Sequence, residues 1–126
     1  MVTGKNSPLL YSTAAAVINA LKVLAGIPYK IDLLSPLVIR NMVRYKNEVL
    51  GESSDSLDIG EALAALSVSA AHNPAAEVCF EALPVLKECE MHMTHLPTSS
   101  DQEVLRKLGI MFTTDALHTP GGYFLR

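Results

Sequence analysis

The stretch "CEMHMTHLPTSSDQEVLRKLGIMFTT", residues 89–114, reads as strand, helix and strand without interruption. From Cys89 to Leu96, Met91 and Met93 alternate with Glu90, His92 and Thr94, the two-residue period of a half-exposed strand. Such a strand is expected at a sheet edge or facing a partner. Ser100-Asp101-Gln102-Glu103 has the form of a capping box, in which a serine oxygen and a glutamate satisfy free N–H groups reciprocally. Ile110 to Thr114 is the next extended segment. Two strands joined through a helix lie parallel, so the stretch predicts an α/β protein.

Working outward, four more helix starts appear. Ser7-Pro8, Ser35-Pro36 and Asn73-Pro74 pair a capping side chain with a proline that needs no donor, and Asp58-Ile59-Gly60-Glu61 is a second capping box. The first helix is expected from Pro8 to Ala25, stopping at Gly26, with Ser12, Ala15, Asn19 and Lys22 on one polar stripe. The second, Pro36 to Leu50, should expose Arg40, Arg44 and Lys46 and pack Leu37, Ile39, Val43 and Leu50. Two alanine-rich helices follow, Asp58 to Ala71 and Pro74 to Leu83, with Pro84 ending the latter. Met1 to Gly4 and Lys30 to Leu34 are further extended candidates. Alternation of this kind predicts a three-layer α/β/α fold around a small, mostly parallel sheet, with residues 1–115 as a single domain and 116–126 as a tail.

Composition narrows the classes of function. The chain has 126 residues, 49% hydrophobic and 18% charged, which is apolar for its size and suggests that some surface belongs to an interface. A net charge of −3, aromatics at 6% and no tryptophan leave no electrostatic footprint for nucleic acid. Two cysteines, Cys79 and Cys89, are too few for a disulfide framework and have no zinc spacing. Asn19 and Lys22 interrupt the one long apolar run, and no signal peptide is recognised, so a soluble, cytoplasmic protein without membrane insertion is expected.

In open α/β sheets, ligands bind beyond the carboxyl ends of the strands, where helix N-termini favour anions. Gly4-Lys5-Asn6-Ser7 stands at such a place: glycine allows a tight turn, lysine supplies charge, and serine caps or donates. Ser35, Asn73, Ser99 and Ser100 stand at other helix starts and complete the candidate ligand-binding set. The opening loop is no Walker A motif, because Asn6 separates Lys5 from Ser7. His92 and His95 would point to opposite faces of a regular strand, which argues against a metal site, and His72 reads as a turn residue. No hydroxyl–histidine–carboxylate set can be chosen from sequence, since geometry defines it, so no catalytic residue or cofactor is assigned.

The blocks "VTGKNSPL", "INALKVLAGIP", "IDLLSP", "EALAALSVSAAHNP", "CEMHMTH" and "LRKLGI" closely resemble, in order and spacing, the C-terminal part of the bacterial domain-of-unknown-function family 1846. The resemblance covers about residues 2–115, leaving out the tail. It implies membership of a several-fold longer protein whose N-terminal region carries its own glycine-rich, nucleotide-loop-like segment. It implies no established activity, and the label of ATP-dependent peptidase attached to the family finds no support in these residues. It also implies a cytidine-deaminase-like topology, although the [HC]-A-E and P-C-x-x-C zinc motifs are absent here, so deamination is rejected. Family motif positions fall on Gly4, Lys5 and Ser7, on Ser67, Ser69, Asn73 and Pro74, and on Cys89, Glu90 and His92. The sequence departs from the family at His72, where threonine is expected, and at Glu88, where glycine is expected.

Two functions follow. One is a domain that binds a small anionic ligand, bearing phosphate or carboxylate, within a larger enzyme. The other is a non-catalytic structural domain that forms a homo-oligomer. Met1 to Gly4 is expected as a frayed edge strand, or one completed by another subunit, before a mobile Lys5–Ser7 loop.

Overall fold

The structure, a computed structural model, describes residues 2–4 and 10–115. It divides after Val85 into two compact units. Among the described residues it is a mixed α/β protein with five α-helices and one two-stranded parallel sheet.

The first unit is helical. Helix α1, Ser12–Ala25, buries Ala14, Val17, Ile18 and Leu21, whose spacing puts them on one face. That face packs against α3, Ile59–Ser69, and α4, Pro74–Glu81, while α2, Pro36–Arg44, packs against α3. Ala62, Ala65 and Ala76 are wholly buried at these surfaces, and their small side chains let the helices approach closely. Local chemistry sets three of the helix starts. Asp58 accepts from the Glu61 N–H at 2.8 Å while Glu61 accepts from the Asp58 N–H at 3.0 Å. Asn73 accepts from the Ala75 N–H at 3.0 Å, and Ser35 from that of Val38 at 3.5 Å.

Several expectations need correcting. Helix α1 begins at Ser12, not Pro8, because Leu10 forms a parallel bridge with Leu57 and the Tyr11 N–H donates to the Leu57 carbonyl at 3.1 Å. An extended chain at residues 10–11 rules out a helix running through them. Lys30 to Leu34 is a turn rather than a strand. Its groups find partners without a ladder: the Ile31 N–H donates to Pro28 at 3.0 Å, and the Asp32 carbonyl accepts from Asn73 at 3.2 Å. Residues 2–4 form no strand either, since the Thr3 carbonyl is held by the Asn19 side chain at 2.8 Å. Past Arg44 the second helix loosens into a π-helical turn, Tyr45–Val49, whose extra residue swings Lys46 inward. Lys46 is therefore 4% exposed, and it is Leu37 and Leu50 that face solvent.

The second unit is the strand–helix–strand stretch expected from the sequence. Strand β1, Glu90–Met93, runs parallel to β2, Met111–Thr114, with Glu90 opposite Met111 and His92 opposite Thr113. Helix α5, Ser99–Leu108, joins them and packs on β2. Its cap is Thr98, whose hydroxyl accepts from the Asp101 N–H at 3.1 Å, so Ser100 lies in the first turn instead of capping it. Along β1 Met93 is buried while Glu90 and His92 are exposed, as the alternation predicts. Just before β1, Glu88 has φ +70°, a conformation natural to glycine, and its N–H donates to the Gly109 carbonyl at 2.7 Å.

Candidate functional site

The site grows from a lysine in an unusual place. Lys22 follows the buried Leu21 on α1 and is itself only 8% exposed, whereas its apolar neighbours Val23 and Leu24 face solvent. The cause is the turn after the helix. Gly26 adopts φ +71°, which a side chain would disfavour, and the Ile27 N–H then donates back to the Lys22 carbonyl at 2.8 Å. That reversal lays Tyr29 over the lysine. The Lys22 ammonium donates to the Tyr29 carbonyl at 2.8 Å and lies 5.3 Å from the centre of its ring. Among the described residues no carboxylate pairs with it.

Lys22, Asn19, Val23, Ile27 and Tyr29, with Val2 and Thr3 opposite, line a cleft of about 230 Å³. Its far wall is fixed by two contacts. Asn19 holds the Thr3 carbonyl, and Gly4 lies so close to α1 that a Cβ there would run into the main chain of Ser12 and Ala16. The lysine's charge is felt deeper in the unit as well. Burial pushes the Cys79 thiol above its ordinary range, and Lys22 offsets part of that shift. The arrangement gives a desolvated cation facing a small, open cleft, which suits an anion.

Of the residues expected to bind ligand, Gly4 stands next to this cleft wall, and Lys5, Asn6 and Ser7 lie outside the described residues. Ser35 and Asn73 are brought near each other through α3: the Ser35 N–H donates to the Ser69 hydroxyl at 2.9 Å, and the Asn73 amide reaches the Asp32 carbonyl. Both side chains are occupied in capping and tethering. Ser99 and Ser100 are exposed in the first turn of α5, in the second unit. Sequence reasoning missed Lys22, Asn19 and Tyr29 as site residues. The available signal was a lysine inside an apolar helix, one turn before a glycine stop followed by an aromatic residue.

His72 is exposed in the loop between α3 and α4, and the His95 carbonyl accepts from the Thr114 hydroxyl at 2.6 Å. Among the described residues no group of three or more His, Cys, Asp or Glu could hold a metal ion. No helix among them is long and apolar enough to cross a membrane.

Comparison with known proteins agrees with the blocks read from the sequence. The family described as "Domain of unknown function DUF1846, C-terminal" matches residues 1–124. A UPF0371 protein of Clostridium botulinum (strain Eklund 17B / Type B) is 43% identical over 115 residues, which is 91% of this chain and 23% of that protein. A UPF0371 protein of Clostridium tetani (strain Massachusetts / E88) is 39% identical over the same length and shares. The chain thus spans about a quarter of the length of the curated relatives it matches.

Proposed function

The chain belongs to the DUF1846 family, whose C-terminal domain it matches, and on that premise we propose that it binds a small anion for a longer, cytoplasmic enzyme. One observation carries this reading: Lys22 is more than nine-tenths buried, has no carboxylate partner among the described residues, and lines a cleft. A buried ammonium held by one carbonyl and one ring is undercompensated, and a phosphate or carboxylate in the cleft would supply the missing charge. At about 230 Å³ the cleft suits a group smaller than a drug-sized ligand. Lys5, Asn6 and Ser7 follow Gly4 directly in sequence and complete the proposed site. Ser35, Asn73, Ser99 and Ser100 enter as separate helix-start groups. The three-layer, cytidine-deaminase-like arrangement belongs to the same proposal, as the frame that further strands of a longer relative would build around β1 and β2.

Thermal unfolding in phosphate, sulfate and small carboxylates tests the proposal. An anion at 100 times its dissociation constant should add about 2.7 kcal/mol of stability. The gain should vanish in Lys22→Met and shrink in Lys5→Ala. Absence of any gain, or an equal gain in Lys22→Met, refutes it.

A second reading, association with another copy, is favoured by the exposed apolar residues Tyr45, Val49 and Leu50 along the π-helical turn and its end. Light scattering over a concentration series tests this, and a strictly monomeric chain removes it.

A further inference from the structure

The parallel register of the second unit does more than pair backbones. It sets His92 on β1 beside Thr113 on β2, and Asp115, two residues beyond Thr113, is also within reach of the imidazole. The Thr113 hydroxyl is 2.7 Å from His92 Nδ1, and an Asp115 carboxylate oxygen is 2.8 Å from His92 Nε2. A hydroxyl, an imidazole and a carboxylate are thus linked in series on a surface open to solvent, with the His92 and Asp115 side chains 52% and 60% exposed.

The order of partners dictates where the protons sit. An ionised carboxylate only accepts, so in the neutral ring Nε2 carries the hydrogen and donates to Asp115. Nδ1 is then left with its lone pair, and the Thr113 hydroxyl donates to it. This is the protonation pattern that makes a hydroxyl nucleophilic: a base within hydrogen-bond reach, held in the correct tautomer by a third group.

We infer that Thr113, His92 and Asp115 form an acyl-accepting relay. Thr113 Oγ1 forms a bond to the carbonyl carbon of an activated ester, and its proton passes to His92 Nδ1. Asp115 stabilises the imidazolium through Nε2–H. The bond from the carbonyl carbon to the leaving oxygen breaks, and that oxygen takes the proton from Nδ1, leaving an ester on Thr113 and a neutral imidazole. Water, deprotonated by the same nitrogen, then releases the acid and restores the hydroxyl. The inference is independent of the Lys22 cleft, since none of the three residues belongs to it.

The probe is p-nitrophenyl acetate offered to the intact chain, with nitrophenolate release followed by absorbance and the acetyl group located by mass spectrometry. Acetyl should appear on Thr113. His92→Ala should slow release roughly 100-fold, the scale of losing a positioned base. Thr113→Ser should keep the activity, and Asp115→Asn should lower it. Thr113→Val fills the same strand position, so loss of acetylation with unchanged melting supports the relay. Acetylation confined to other residues, or release as fast in Thr113→Val as in the parent chain, overturns it.

Discussion

Two lysines of the first unit are withdrawn from water to a similar extent, and they end in opposite circumstances. Lys46, 4% exposed, donates to the Ser56 carbonyl at 2.8 Å and to Glu61 at 3.0 Å, and Glu61 is itself tied to the start of α3 by the capping box. That charge is paired. Lys22, 8% exposed, has a carbonyl, an aromatic ring and a cleft. The difference teaches that burial alone does not mark a functional lysine. What matters is whether the surroundings already answer its charge, as they do at Lys46, or leave that to something arriving from outside.

The comparison is broken most forcefully at its closed end. Lys46→Ala should lose about 3 kcal/mol, because Glu61 and the Ser56 carbonyl lose their shared donor inside the protein. Urea unfolding measures this, and a loss under about 1 kcal/mol would mean that the network is not the anchor described. In the same assay Lys22→Met should unfold at equal or higher urea, since a methionine removes a buried charge that no carboxylate among the described residues pairs, and keeps much of its packing. The opposite signs of the two variants are the sharpest expression of the contrast.

A second effect concerns the wall of the open site. Gly4→Ala should cost roughly 1–3 kcal/mol or release the 2–4 segment from α1, because the added methyl meets helix main chain. Either outcome should weaken the anion-dependent gain in melting temperature, while Lys46 variants that still fold should keep it. An alanine variant that melts and binds like the parent would detach Gly4 from the site.

The smallest effect is read through Cys79. Its folded-state pKa is raised by burial, so the contribution from keeping the thiol protonated is full below the ordinary value of 9.0. It is lost as pH climbs through the folded value, because the unfolded chain ionises first. Stability should therefore decline in this alkaline range by more in Lys22→Met than in the parent, since the methionine no longer offsets the shift. Equal declines would show that Lys22 does not reach the thiol.

How much of this was legible from sequence differs by region. The strand–helix–strand unit was legible because its signals are local: alternation in β1, polar caps before α5 and a second extended segment close behind. Lys30 to Leu34 misled because a short apolar run says nothing about whether a partner strand stands beside it. Here Asn73 and the turn at Pro28 answer the backbone instead. The family resemblance was legible across nearly the whole chain, and its expectation of glycine at position 88 agrees with the left-handed backbone that Glu88 adopts. The candidate site was legible only at its margin, Gly4, because Lys22 owes its burial to the Gly26 reversal. His92 was noticed, but its link to Thr113 and Asp115 depends on strand register, which no single segment encodes.

The π-helical turn at Tyr45–Val49 has a bearing on descent. A turn closed five residues apart, as by the Leu50 N–H on the Tyr45 carbonyl at 3.2 Å, accommodates one residue more than an α-turn without breaking the helix. It is therefore a place where a single codon can be gained or lost while the flanking segments keep their positions. Such an event would shift by about 100° the helical phase of the residues within the turn alone, carrying residue 46 from the interior to the surface. Homologues one residue shorter at this point should have no use for a lysine there, and Glu61 should have changed along with it.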